Sequence, residues 1–210
     1  VNVLQAPIST ITAYGPTTFC QGGSVTLATT GAASYAWSNS ATSQSIVPTT
    51  SGTYSVVVTG ANGCTATSAA VAVTVNVLPV VTATANGATT FCDGGSVTLT
   101  ATGATTYVWS NGATSPSITV SASGNYSVTG TSLEGCSSTS NTIAVVVNAL
   151  PTASIATSGS TACLGTTVTL TAAGGSTYSW SNGSTNASIN VSAANTYTVT
   201  VTSAEGCSST

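Results

Sequence analysis

Six cysteines are the residues of this 210-residue chain best suited to covalent chemistry, and their spacing is regular. Cys20 and Cys64, Cys92 and Cys136, and Cys163 and Cys207 each lie 44 residues apart, and the three pairs recur every 71 or 72 residues. Paired spacing of this kind suits disulfides. Metal ligation would call for histidine or a Cys-x-x-Cys, and the chain has neither; free buried thiols are the other reading. The spacing predicts one bond inside each copy, Cys20–Cys64, Cys92–Cys136 and Cys163–Cys207. Each would close a 44-residue loop worth about 4 kcal/mol in the chain-entropy model. Disulfides place the chain in an oxidising, extracytoplasmic setting.

The remaining side chains offer little reactivity. There is no Lys, Arg, His or Met, and only Asp93, Glu134 and Glu205 are charged, for a net charge of −3. Ser and Thr together number 77, yet no imidazole or amine is present to activate a hydroxyl, so no catalytic residue and no cofactor are expected. Nucleic acid and anionic membrane surfaces attract Lys and Arg, which excludes both partners. No apolar run approaches the roughly 18 residues of a membrane span, and no charged segment precedes an apolar stretch as in a signal peptide. Asp93 next to Cys92 and Glu134 near Cys136 would meet across the expected bond as a weak calcium site. The corresponding residues elsewhere are Gln21 and Asn62, then Leu164 and Glu205, so solvated loop acids are the better reading and no metal is expected.

The elements that carry the cysteines repeat with them. One Trp (37, 109, 180) follows each first cysteine by 17 residues, and one Tyr (54, 126, 197) precedes each second cysteine by 10. Fixed landmarks in three copies mean tandem homologous domains. Val97, Leu99 and Ala101 alternate with Ser96, Thr98 and Thr100, the period-2 pattern of half-buried strands. Gly94-Gly95, Asn111-Gly112 and Glu134-Gly135 supply turns between strands. The expected fold is all-β: tandem immunoglobulin-like sandwiches of about seven strands each. Trp37, Trp109 and Trp180 would be core, and Tyr54, Tyr126 and Tyr197 would pin a corner before the sixth strand. The cysteines fall just before the second strand and just after the sixth, and antiparallel strands are expected to bring those ends together.

Joints recur as Val1-Asn2-Val3-Leu4, Val75-Asn76-Val77-Leu78 and Val147-Asn148-Ala149-Leu150. Residues 1–4 are assigned to the end of a preceding copy's last strand, 5–77 to repeat one, 78–149 to repeat two and 150–210 to repeat three, which lacks its last strand. With no Gly/Ser-rich linker between copies, a stiff rod is expected, each domain adding on the order of 35 Å at roughly 3.3 Å per strand residue.

The runs Tyr107-Val108-Trp109-Ser110-Asn111-Gly112, Ser117-Ile118-Thr119-Val120, Ser123-Gly124-Asn125-Tyr126 and Gly135-Cys136 resemble the Ig-like or PKD-like repeats of very large Bacteroidota surface proteins, including the gliding-motility adhesin. The resemblance covers all three copies. It implies export, a cell-surface filament attached at the outer membrane, and a mechanical or adhesive role. Expected partners are neighbouring repeats of the chain or identical filament subunits. Ser and Thr hydroxyls, with Asn125, Asn182, Asn186 and Asn190 heading Asn-x-Ser sequences, are candidate glycan acceptors. Two alternatives stand beside the stalk. One is a pilus-like polymer in which residues 1–4 of another chain complete repeat three. The other is a carbohydrate-binding module using Tyr14, Phe19 and Phe91, or exposed Trp.

Overall fold

Branched apolar and hydroxyl residues alternate along most of the chain, and this draws it into strands. The computed structural model describes residues 3–161, 163 and 165–210, among which there is no helix. Repeat one contains β1 (Ile11–Tyr14), β2 (Thr18–Cys20), β3 (Thr26–Thr29), β4 (Ser34–Trp37), β5 (Ser45–Ile46), β6 (Gly52–Tyr54), β7 (Val56–Thr59), β8 (Thr65–Thr67) and β9 (Val71–Asn76). Repeat two follows the same course with β10 (Thr82–Ala85), β11 (Thr90–Cys92), β12 (Val97–Thr102), β13 (Thr106–Trp109), β14 (Ser117–Val120), β15 (Gly124–Tyr126), β16 (Val128–Thr131), β17 (Ser137–Thr139) and β18 (Ile143–Asn148). Repeat three has β19 (Ser154–Thr157), β20 (Val168–Ala173), β21 (Thr177–Trp180), β22 (Ser188–Val191), β23 (Val199–Thr202) and β24 (Ser208–Ser209). Tandem immunoglobulin-like sandwiches result.

In repeat one the sheets run β1-β3-β5, β4-β7-β8 and β2-β9-β6, and repeat two matches them strand for strand. The first strand is broken at Gly15, whose φ of +134° only glycine adopts easily, so its two halves join different sheets. β1 pairs antiparallel with β3, while β2 pairs parallel with β9, Phe19 opposite Val75 and Cys20 opposite Asn76. Gly87, at +151°, makes the same break in repeat two. Two compact units arise that do not coincide with the repeats. One comprises Val1–Val81, Gly103–Tyr107 and Thr129–Thr139; the other Thr82–Thr102, Val108–Val128 and Ser140–Thr210.

Strand direction overturns the expected disulfides. β3 reverses into β4 through Thr30–Ala33, and β4 pairs antiparallel with β7, so β7 runs in the same direction as β3. The start of β3 and the end of β7 therefore lie at opposite ends of the repeat, and Cys20 cannot reach Cys64. Cys20 is bonded instead to Cys136, and Cys92 to Cys207, while Cys64 and Cys163 are free. The pairings Cys20–Cys64, Cys92–Cys136 and Cys163–Cys207 are replaced by bonds from the first cysteine of one repeat to the second cysteine of the next.

Inward residues build the cores. Val25, Leu27, Trp37, Tyr54, Val56, Val58 and Val73 cluster in repeat one, and Ala172, Trp180, Ile189, Val199 and Val201 in repeat three. Volume is exchanged between copies at one site. Val58 and Val201 are fully buried, but repeat two carries Gly130 at the same place. Val81 fills the space, and a Cβ on Gly130 would come within 2.6 Å of both Val81 Cγ2 and Ala104 Cβ. Gly130→Ala is expected to overpack this site and cost about 1–3 kcal/mol in chemical denaturation. Adding Val81→Ala should recover part of the loss, so strictly additive effects would contradict the packing described.

Candidate functional site at the repeat joints

Among the described residues no group of three or more His, Cys, Asp or Glu comes together; the feature built twice in the same way is the joint between repeats. Its first part is a short strand set parallel to the strand that closes the repeat. Cys20 lies opposite Asn76 at the ends of β2 and β9, and the Gln21 amide donates to the Asn76 carbonyl at 2.7 Å. Cys92 lies opposite Asn148 at the ends of β11 and β18, and the Asp93 amide donates to the Asn148 carbonyl at 2.8 Å. A first-position cysteine is thereby fixed where the chain leaves its own repeat.

The second-position cysteine arrives from the following repeat. Cys136 Sγ lies 4.0 Å from the Asn76 carbonyl oxygen and Cys207 Sγ 3.8 Å from that of Asn148. Both cysteines are fully buried. The bonded Cα atoms are 5.6 Å apart for Cys20–Cys136 and 5.5 Å for Cys92–Cys207, within the ordinary span of a disulfide. Hydroxyls fasten the proline that follows: Ser138 Oγ donates to the Pro79 carbonyl, and Ser209 Oγ to that of Pro151. Glycine lets the backbones approach. A Cβ on Gly103 would fall 1.8 Å from the Val80 carbonyl oxygen, and one on Gly174 would fall 1.9 Å from that of Thr152.

Cys64 occupies the same position at the N-terminal side of repeat one. Its Sγ lies 4.0 Å from the Leu4 carbonyl oxygen, and Asn62 Nδ2 donates to the Gln5 carbonyl at 2.8 Å. Val3 and Leu4 are exposed, and Val1 and Asn2 lie outside the described residues. Cys163 is exposed at the far side of repeat three. The thiol-bearing positions thus form a regular series with one unpaired member at each end.

The other sequence candidates fall into place around this series. Trp37, Trp109 and Trp180 are buried, and each indole Nε1 donates to a backbone carbonyl six residues on, at Ser43, Ser115 and Asn186. No indole face is open to a sugar. The hydroxyls of Tyr54, Tyr126 and Tyr197 each donate to the carbonyl four residues back, at Thr50, Ala122 and Ala193, which is the tyrosine corner of immunoglobulin-like domains. Tyr14 is exposed, whereas Phe19 and Phe91 are half-buried beneath Gly23 and Gly95. Asp93 and Glu134 lose the bond that was to unite them, because Cys92 pairs with Cys207; Leu164 lies outside the described residues. Among the described residues no cluster of three or more His, Cys, Asp or Glu could hold a metal.

Outward hydroxyls pair across strands, as Thr98 with Thr119, Thr100 with Ser117, Thr131 with Ser137 and Thr202 with Ser208. The Asn-x-Ser asparagines Asn125, Asn182, Asn186 and Asn190 are all exposed. The serines and prolines at the joints, and Gly103 and Gly174, were not singled out as functional from sequence. Pro79 and Pro151 recur three residues after the asparagine of their joints, and Ser138 and Ser209 two residues after the second cysteine, which was the available signal.

No protein-family model and no curated protein sequence matches the chain. Solved structures similar to it include the following three, all at low identity. The N-terminal eight immunoglobulin domains of the Down Syndrome Cell Adhesion Molecule are 17% identical, with a TM-score of 0.39, over 83% of this chain and 34% of that one. A 1.5-MDa bacterial ice-binding adhesin is 16% identical, with a TM-score of 0.35, over 96% of this chain and 94% of that one. Murine CEACAM1b is 15% identical, with a TM-score of 0.32, over 67% of this chain and 100% of that one.

Proposed function

We propose that this chain is a load-bearing segment of an extracellular stalk or surface filament, acting mechanically and adhesively and carrying out no catalysis. The observation that supports this most is the covalent lacing of both joints, Cys20–Cys136 and Cys92–Cys207. A bond inside a repeat would stabilise that repeat alone. A bond across a joint makes the passage from one repeat to the next covalent at a second point, which matters where tension is transmitted. Disulfides belong to oxidising compartments, and the sequence resemblance to Bacteroidota surface repeats points to attachment at the outer membrane. Neighbouring repeats are the partners in this reading, and the paired exposed hydroxyls are the glycan acceptors.

Peptide mapping without reduction tests the lacing. The chain has no Lys or Arg for trypsin, so chymotrypsin is the suitable protease. The expected map joins Cys20 to Cys136 and Cys92 to Cys207 and leaves two thiols open to alkylation. A map joining Cys20 to Cys64 would overturn the reading.

A further inference from the structure

Four Asn-Gly steps occur in the chain, at Asn62-Gly63, Asn86-Gly87, Asn111-Gly112 and Asn182-Gly183. Such a step carries its own chemistry. The backbone nitrogen of the glycine can attack the carboxamide carbon of the asparagine before it, because no Cβ on the glycine crowds the approach. The attacking nitrogen must first give up its proton, and an N–H already held by a carbonyl gives it up less readily, since that hydrogen bond is lost in the step. Where each glycine N–H points therefore decides which step reacts.

The fold holds three of the four. Gly63 N–H donates to the Gly60 carbonyl at 2.9 Å, Gly112 N–H to that of Trp109 at 2.8 Å, and Gly183 N–H to that of Trp180 at 2.9 Å. In each of these turns the asparagine Oδ1 also accepts from the backbone N–H two residues on, at Cys64, Ala113 and Ser184. Asn86-Gly87 is built differently. It lies between β10 and β11, at the break where Gly87 has a φ of +151°. Asn86 N–H donates to the Thr98 carbonyl at 2.8 Å, but among the described residues no acceptor takes the Gly87 N–H. Both residues are exposed. The Asn86 carboxamide is tethered by one bond, Nδ2 donating to Thr100 Oγ1 at 3.2 Å, and an exposed bond of that length is readily exchanged for water.

We propose that Asn86-Gly87 is a site of spontaneous covalent modification, the Asn-Gly step of this chain that deamidates fastest. Gly87 N loses its proton to hydroxide and bonds to Asn86 Cγ. The Cγ–Nδ2 bond breaks, and the nitrogen takes a proton from water and leaves as ammonia. A five-membered imide results, and one water molecule opens it at either carbonyl to give aspartate or isoaspartate at position 86. Ammonia is the net loss and water the net gain, with no change of oxidation state. Either product removes the donor to Thr100 and adds a carboxylate to a chain that has only three. Isoaspartate also adds one methylene to the main chain between β10 and β11. That lengthens the segment leading to the strand that sets Cys92 opposite Asn148, so the modification reaches the second joint.

The test ages the intact, oxidised chain in mildly alkaline buffer. Samples taken over weeks are quenched in acid, digested with chymotrypsin and sequenced by tandem mass spectrometry, which places the amide-to-acid mass gain on individual residues. Acid is expected to accumulate at Asn86 about three- to tenfold faster than at Asn62, Asn111 or Asn182, the factor that one hydrogen bond of ordinary net strength represents. Ion-exchange chromatography should show a more acidic species growing at the same rate. A second sample, reduced and held in denaturant, removes the fold while keeping the sequence, and there the four rates should converge. A rate at Asn86 no faster than at the other three in the folded chain overturns the proposal. So does a lead that persists unchanged in denaturant, because the position of the Gly87 N–H would then not be its cause.

Discussion

Reducing both disulfides should raise the fully pulled length of the chain about threefold. The two bonds interleave, since Cys92 lies inside the segment spanned by Cys20–Cys136, and Cys136 inside that spanned by Cys92–Cys207. When the oxidised chain is pulled from its termini, the shortest covalent path runs from Val1 to Cys20 and across to Cys136. It then passes back through 44 residues to Cys92, and across to Cys207 and Thr210. About one third of the backbone becomes taut. At roughly 3.4 Å per residue, the limit is about 230 Å oxidised against about 700 Å reduced. Single-molecule force extension with and without dithiothreitol reads both values. Bonds confined to single repeats would leave the joints and repeat ends taut, about 265 Å in all, so the length reads how much of the chain is locked and the disulfide map assigns the pairs. An oxidised length near half of the reduced one would exclude the interleaved pattern. The same pattern caps the damage when one repeat unfolds under load, since the covalent detour through its neighbour keeps the chain short.

Gly103→Ala or Gly174→Ala should destabilise the chain by about 3 kcal/mol or more, while Gly31→Ala should leave it unchanged or slightly more stable. All three glycines occupy the same place in successive copies. At Gly103 and Gly174 the backbone of the preceding joint passes directly over the Cα, and φ is +93° and +105°. An added methyl would meet a carbonyl oxygen that is part of the main chain, and the left-handed conformation adds its own penalty. No atom lies within 4 Å of a Cβ at Gly31. The N-terminal segment there is two residues longer between its Val-Asn joint and Cys20 than the equivalent segment between Val75-Asn76 and Cys92. Thermal or chemical denaturation of the three variants provides the comparison, with a shift on the order of 10 °C expected for the first two. Equal losses at Gly31 and Gly103 would show that the joint is not what holds Gly103 in place.

Composition and periodicity were enough to predict the sandwich. Alternation at Val97, Leu99 and Ala101 fixes one face as core whatever the neighbouring strands do, because a strand's side chains change face at every residue. Trp109, Ile118, Val128 and Val145 are buried on the same principle. The tyrosine corner was equally readable, since it depends on contacts four residues apart.

Which cysteine meets which was decided only by the tertiary structure. Spacing of 44 residues is identical in every copy, so it is equally compatible with bonds inside a repeat and bonds across a joint. The choice depends on whether two strands four places apart in the chain run the same way. That direction is set by how the chain crosses from one sheet to the other, a non-local property that local side-chain pattern does not encode. The backbone's approach to Gly103 and Gly174 is undetermined in sequence for the same reason: the atoms that forbid a side chain there belong to the joint, 20 or more residues earlier in the chain.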